Sequence, residues 1–183
     1  MQQAWILFQQ NRLQEAEQSY EHCCDSAEGE TQACFMLGAI RHMSRRLEPA
    51  LAAFSRAVEL DPQHIQARRA QAAVLAELGR NCEALASYRQ ALTFSPDDPQ
   101  LLVNIGLLLE AMGEGEDALR HYDSALAIDP GFLAALLNQG VALTLARRLD
   151  EWKALIKPCG TNMRPASRQS HFMSLVRTPH FLV

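Results

Sequence analysis

The chain has 183 residues, of which 48% are hydrophobic and 21% charged, which is enough for one domain with an apolar core or a short repeat array. Its formal net charge of −4 provides no basic surface for phosphate backbones, so we do not expect nucleic acid as a partner. The sequence contains no apolar stretch of membrane-spanning length and no signal-peptide pattern, so we expect neither membrane insertion nor secretion.

The cysteines indicate an intracellular protein. There are five, an odd number, and Cys23 and Cys24 are adjacent, so no simple disulfide framework is indicated. We therefore expect reduced thiols and a cytoplasmic location. His22, Cys23, Cys24 and Cys34 could be combined into a metal site, but no CxxC pair is present, and we expect neither metal nor cofactor.

A repeat of 34 residues organises most of the chain. Pro62, Pro96 and Pro130 are spaced by this period, and each follows an apolar-rich stretch. With these prolines at position 32, the chain divides into a truncated repeat at 1–30, complete repeats at 31–64, 65–98 and 99–132, and a degenerate repeat at 133–157. Position 8 is always small (Ala4, Gly38, Ala72, Gly106, Gly140), and position 24 is aromatic in the first four copies (Tyr20, Phe54, Tyr88, Tyr122). Positions 20 and 27 are also small in those four copies.

Each complete repeat is predicted to form two amphipathic helices, because its apolar residues recur at spacings of three and four. A small residue at position 8 lets the second helix approach closely, and the aromatic residue at position 24 fills the seam between them. Asp98 followed by Pro99 is typical of a helix start. A single hairpin leaves an apolar face bare, so successive hairpins must stack, which predicts an all-α solenoid.

The pattern weakens in the last repeat. Trp152 stands at position 20 and Ile156 at position 24, and we expect Pro158 and Gly160 to end the second helix of this repeat early. The tail at 158–183 contains three arginines and no acidic residue. It is predicted to be flexible, to form a short capping helix around 170–176 that covers the last hairpin through Phe172 and Leu175, or to dock onto the acidic array.

These columns and the closing prolines resemble the tetratricopeptide repeat (TPR) over residues 1–157. The resemblance implies an α-solenoid of helix-turn-helix hairpins wound into a right-handed superhelix, with a concave groove lined by the first helix of each repeat. The peptide-binding residues it implies in this groove are Phe35, Met36, Met43, Arg69, Asn104, Leu107 and Asn138.

Two of these candidates share one column. Asn104 and Asn138 occupy position 6 of successive repeats, and similar asparagine ladders clamp the backbone of extended peptides in O-linked N-acetylglucosamine transferases. The alternative is that both are simply solvent-exposed amides, just as Phe35 and Met36 could belong to the core. A chaperone-tail clamp is not expected, because its distal basic pair is absent.

No motif for catalysis is found in the sequence, so we expect a non-catalytic interaction scaffold or adaptor that holds a protein or peptide partner in the groove. The alternatives are a substrate-recruiting arm of a larger glycosyltransferase, sulfotransferase or methyltransferase, or a module that self-assembles as a homo-oligomer through its exposed terminal repeats.

Overall fold

The computed structural model describes residues 2–25 and 30–156, with side chains described up to residue 147. Within these ranges the secondary structure consists of nine helices: α1 (Gln2–Gln9), α2 (Leu13–Asp25), α3 (Thr31–Met43), α4 (Leu47–Leu60), α5 (Ile65–Glu77), α6 (Asn81–Phe94), α7 (Pro99–Met112), α8 (Gly115–Ile128) and α9 (Leu133–Ile156). The chain divides into two units, Met1–Ala146 and Arg147–Val183. None of the described helices is both long and apolar enough to cross a membrane.

The first unit is a stack of helical hairpins. Helices α1 and α2, α3 and α4, α5 and α6, and α7 and α8 pack as pairs, and each second helix also packs against the first helix of the next pair. This nearest-neighbour packing is that of an α-solenoid, and it confirms the fold predicted from the repeat.

The predicted seam between paired helices is present at the glycine positions. A Cβ atom added to Gly38 would lie 2.6 Å from the ring of Phe54, and one added to Gly106 would lie 2.4 Å from the ring of Tyr122. Both rings are almost completely buried. At these two sites the ring of the following helix therefore occupies the space that a Cβ atom would take, and glycine leaves that space free.

Helix α7 begins as predicted. Its N-cap residue Asp98 accepts hydrogen bonds through Oδ1 from the backbone N–H groups of Gln100 and Leu101, at 2.9 and 3.2 Å. Pro99 occupies the first turn, where its missing N–H group is not needed.

Among the residues whose side chains are described, Arg68 is a buried cation that the sequence pattern did not reveal. Arg68 on α5 donates hydrogen bonds to Gln90 Oε1 at 2.5 Å and to the Pro62 carbonyl oxygen at 2.8 Å. Its guanidinium group also lies 5.9 Å from the ring centroid of Phe94. Arg68 thus joins α5 to α6 and to the turn that precedes α5.

The prediction that all cysteines are reduced is wrong for one pair. Cys24 at the end of α2 and Cys34 on α3 form a disulfide, with their Cα atoms 5.0 Å apart. Counting cysteines could not reveal this pair, because the close packing of α2 against α3 brings the two residues together. The disulfide also removes the support that reduced thiols gave to a cytoplasmic location.

The last repeat differs from the predicted hairpin. A second helix was expected after the first one, but α9 is a single helix of 24 residues. In the four preceding hairpins, position 15 has a left-handed backbone at Asn11, Arg45, Gly79 and Gly113, whereas Arg147 at this position remains helical. The predictions for Trp152 and Ile156 as side chains, and for the tail at 158–183, lie outside the described side chains.

Candidate functional site

The first helices of successive repeats form one surface of the first unit, which we call the first-helix face. It comprises positions 2, 5, 6, 9, 12 and 13 of α1, α3, α5, α7 and α9. Contacts join the first three of these helices along this surface: α1 and α3 line a common cavity, and side chains of α3 and α5 form an ion pair. All seven candidate residues belong to these positions.

The N-terminal end of the first-helix face contains an uncharged cavity. It has a volume of about 270 Å³ and is lined by Gln2, Trp5, Tyr20, Gln32 and Met36. The ring of Trp5 stacks on that of Phe8 at a centroid distance of 5.9 Å, which fixes one wall of the cavity. Met36 therefore faces an open site, whereas Met43, which is 63% exposed, projects into solvent at the other end of α3.

Phe35 has a different environment from Met36. Its ring lies 5.8 Å from that of Phe54 and 5.4 Å from that of His64. The side chain is half-buried and packs against both hydrophobic clusters of the array. Of the two alternatives that the sequence left open for Phe35, these ring contacts with Phe54 on α4 and with His64 before α5 favour a core position.

The middle of the first-helix face is charged. Glu77 on α5 accepts from His42 Nε2 on α3 at 2.6 Å and from Arg45 at 3.3 Å. Arg69 is half-buried on α5 and donates a hydrogen bond to Gln66. Burial raises the pKa of Tyr88 to about 12, and the positive charge of Arg69 partly opposes this shift.

The pair formed by His42 and Glu77 was not predicted from the sequence. The signal was present in the repeat register, because His42 occupies position 12 and Glu77 occupies position 13 of the next repeat. Side chains at these positions meet when first helices lie side by side, as α3 and α5 do.

The C-terminal part of the face has amide and apolar side chains. Asn104 is half-buried and accepts a hydrogen bond through Oδ1 from Gln100 Nε2 at 3.0 Å. Asn138 is also half-buried, and among the described residues no side-chain hydrogen bond is found for it. Leu107, one turn after Asn104, is 41% exposed. The structure therefore leaves donor groups of both asparagines available for a ligand.

A partly buried carboxylate lies one turn beyond Leu107. Within the described part of the chain, Glu110 Oε1 and the hydroxyl of Tyr122 are both buried without a hydrogen bond of good geometry. Burial raises the pKa of Glu110, and the neighbouring Tyr122 hydroxyl partly opposes the shift. The uncompensated burial of this carboxylate lowers stability when it is ionised.

Comparison with known families and structures agrees with the repeat. Sequence families described as tetratricopeptide repeat or TPR repeat match residues 1–29, 31–64, 72–113 and 103–151. Similar crystal structures include MamA, at 18% identity and a TM-score of 0.73, covering 84% of this chain and 90% of MamA. YrrB, described as a TPR protein with an unusual peptide-binding site, has 24% identity and a TM-score of 0.69, covering 75% of this chain and 71% of YrrB.

A tetratricopeptide repeat protein from Parabacteroides merdae is also similar, with 20% identity and a TM-score of 0.74, covering 88% of this chain and 66% of that protein. At these identities the likeness concerns the fold. No curated protein matches the sequence.

Proposed function

Because the chain belongs to the tetratricopeptide repeat family, we propose that it is a non-catalytic interaction scaffold whose first-helix face binds an extended segment of a partner protein. The observation that carries this proposal is the pair Asn104 and Asn138, which keep hydrogen-bonding groups unused at the same position of successive first helices. The peptide-binding site described for the similar structure YrrB agrees with this use of the fold.

An extended backbone presents one N–H donor and one C=O acceptor per residue, and an amide side chain can pair with either. Gln100 occupies the Oδ1 atom of Asn104, which leaves the Asn104 NH₂ group to donate to a peptide carbonyl. Asn138 can donate and accept. Leu107 and Val141 are exposed at position 9 of the same two helices, so apolar side chains of the bound segment can pack beside the amides.

The other parts of the face specify the chemistry of the segment. The uncharged cavity around Trp5 and Met36 has room for one apolar side chain. In the middle, the guanidinium group of Arg69 can pair with one carboxylate, whereas Glu77 is already engaged by His42 and Arg45. The proposed ligand is therefore a segment with an apolar residue near one end, an acidic residue in the middle, and a portion recognised through its backbone.

The experiment selects binding peptides from a random library on the purified chain and then measures their affinity for variants. Loss of the hydrogen bonds of both asparagines removes about 1–3 kcal/mol of binding free energy, so the Asn104→Ala, Asn138→Ala double variant should bind about tenfold more weakly. The matched control is Asn81→Ala, because Asn81 begins the second helix α6, away from the first-helix face.

A second variant tests the charge. Arg69→Glu should weaken peptides that contain an acidic residue and leave uncharged peptides nearly unaffected, because only the former pair with the guanidinium group. The proposal would be refuted if the selected peptides bound the original chain, the Asn104→Ala, Asn138→Ala variant and the Arg69→Glu variant with equal affinity. The binding site would then lie outside the first-helix face.

A further inference from the structure

Helix α9 buries one side and leaves the opposite side uncovered in the part of the chain that the structure describes. Ala135 and Ala142 pack into the core. On the other side lies a surface that we call the α9 outer face, formed by Leu133, Leu136, Leu137, Gly140, Leu143 and Thr144. Leu133 and Leu137 are 64% and 60% exposed. No charged residue occurs from Leu133 to Ala146, so the surface is uncharged, and apart from Thr144 and Gly140 it consists of leucines.

Gly140 lies at the centre of the α9 outer face and lacks the partner that equivalent glycines have. Gly38 and Gly106 stand at the same repeat position, and each is covered by an aromatic ring of the following helix. An added Cβ at Gly140 would have nothing within 4 Å. Gly140 lies in a shallow, open depression of the surface, which is lined by other residues of α9, namely Leu136, Leu137, Val141, Thr144 and Leu145. Helix α9 thus has the glycine that receives a ring, but no ring of the described residues covers it.

We propose that the α9 outer face binds an amphipathic helix of a partner protein and that an aromatic side chain of this helix packs against Gly140. The array itself shows the chemistry of a helix that covers such a face. In α8, Tyr122 follows the small residue Ala118 by four positions and precedes Ala125 by three, and all three side chains are buried. The partner helix should therefore carry a small residue, an aromatic residue four positions later, and a small residue three positions after that.

A folded second copy of the chain does not offer such a helix among its described residues. The aromatic rings of α2, α4, α6 and α8 at position 24 are all buried within their own hairpins. The aromatic side chains described as exposed are Trp5 and Phe94, at 47% and 45%. Neither has a small residue four positions before it, and Phe94 lies beneath the guanidinium group of Arg68. These observations favour a different protein as the source of the helix.

The proposal goes beyond the binding of an extended segment, because Gly140 stands at position 8, which is not part of the first-helix face. Leu137 and Thr144, at positions 5 and 12, belong to both surfaces. The two proposals are therefore separated by variants outside this overlap: Asn104→Ala should weaken only the extended segment, and Gly140→Leu only the helix.

A peptide with the sequence of α8, residues 115–128, is a suitable probe because the same helix already covers Gly106 in the array. A covalent bridge between the exposed positions 120 and 124 would keep it helical, since isolated helices of this length are marginal in water. Binding of the labelled peptide to the full chain is measured by fluorescence anisotropy. The matched peptide carries Tyr122→Ala, and we expect it to bind at least tenfold more weakly.

Variants of the full chain locate the contact. Gly140→Leu places a side chain in the space for the ring and should weaken binding at least tenfold, and Leu136→Glu should do the same by adding a charge to the face. Gly115→Leu is the control, because Gly115 is an exposed helical glycine that also has nothing within 4 Å of an added Cβ. This control should leave the affinity unchanged.

Three results would overturn the proposal. One is that the tyrosine peptide does not bind, as would occur if the chain covers Gly140 itself. Another is that binding is equal with and without the ring or is unaffected by Gly140→Leu. The third is a dimer in light scattering that becomes monomeric in Gly140→Leu, because the occupant of the face would then be a second copy.

Discussion

Replacing Gly106 or Gly140 with alanine adds the same methyl group at equivalent positions of α7 and α9, but in opposite surroundings. At Gly106 the new Cβ would lie 2.4 Å from Tyr122 Cε1 and 2.8 Å from Cζ. At Gly140 nothing lies within 4 Å of it. We therefore expect Gly106→Ala to lower the free energy of unfolding and Gly140→Ala to raise it.

The size of the difference follows from two terms. Alanine is favoured over glycine inside a helix by about 1 kcal/mol, and this gain applies to both variants. Carbon atoms in contact prefer separations of about 3.5–4.0 Å, so the Tyr122 ring must move by about 1 Å to accept the new methyl group. The ring is fully buried. Overpacking of this kind costs about 1–3 kcal/mol, which is the expected difference between the variants.

Urea unfolding followed by far-UV circular dichroism measures this difference. The comparison holds when the slope of the unfolding free energy against urea concentration is the same for both variants. Gly38→Ala is a second test of a glycine that faces a ring, because its Cβ would lie 2.6 Å from the ring of Phe54. It should behave like Gly106→Ala. If Gly140→Ala destabilised the protein as much as Gly106→Ala, a group would have to cover Gly140, and the reasoning from its open surroundings would be refuted.

Three further outcomes are expected. Glu110→Gln should stabilise the protein at pH 7 but not near pH 4. Burial raises the pKa of Glu110 in the folded state, so the original protein has its full stability below the unfolded pKa and loses stability as the carboxylate ionises at higher pH. Equal effects of the substitution at both pH values in urea titrations would contradict this. Arg45→Gly should raise the free energy of unfolding by about 1 kcal/mol, because Arg45 has a φ of 58° and its side chain, which is 81% exposed, gains little from the ion pair with Glu77; a lower urea midpoint would contradict this. Reduction of the Cys24–Cys34 disulfide should lower stability by about 2–3 kcal/mol, and unchanged unfolding with reductant would show that the pair is not bonded in solution.

The sequence predicted the hairpins well because their packing depends on residues that recur at fixed positions. Gly38 with Phe54 and Gly106 with Tyr122 are separated by 16 residues in both hairpins, so the contact is visible in the repeat register. Arg68 and the disulfide occur once each and have no counterpart in the other repeats. Such single features depend on which side chains meet across neighbouring helices, and the columns of the repeat do not contain that information.

The same distinction applies to the candidate site. The repeat register placed all seven predicted residues on first helices, but it could not predict what fraction of each side chain would be buried by packing. Phe35 and Met36 are adjacent in sequence, yet Phe35 packs against Phe54 and His64, whereas Met36 lines an open cavity. The roughly 100° turn between neighbouring residues on a helix gives these two side chains different neighbours.

The end of the hairpin pattern shows how a single position affects the available surfaces. A left-handed residue at position 15 reverses the chain in four successive hairpins, and Gly79 and Gly113 adopt it without steric cost. Arg147 remains helical at this position, so α9 continues where a second helix would otherwise fold back over Gly140.

Arg45 shows that an arginine at position 15 does not by itself prevent the reversal, since its backbone is left-handed in the second hairpin. There the returning helix α4 buries Phe54 against Gly38, and this packing offsets the backbone cost. The last repeat has Ile156 in place of that aromatic residue, so a returning helix would have no ring to place on Gly140, which leaves the glycine open to a ring from another protein.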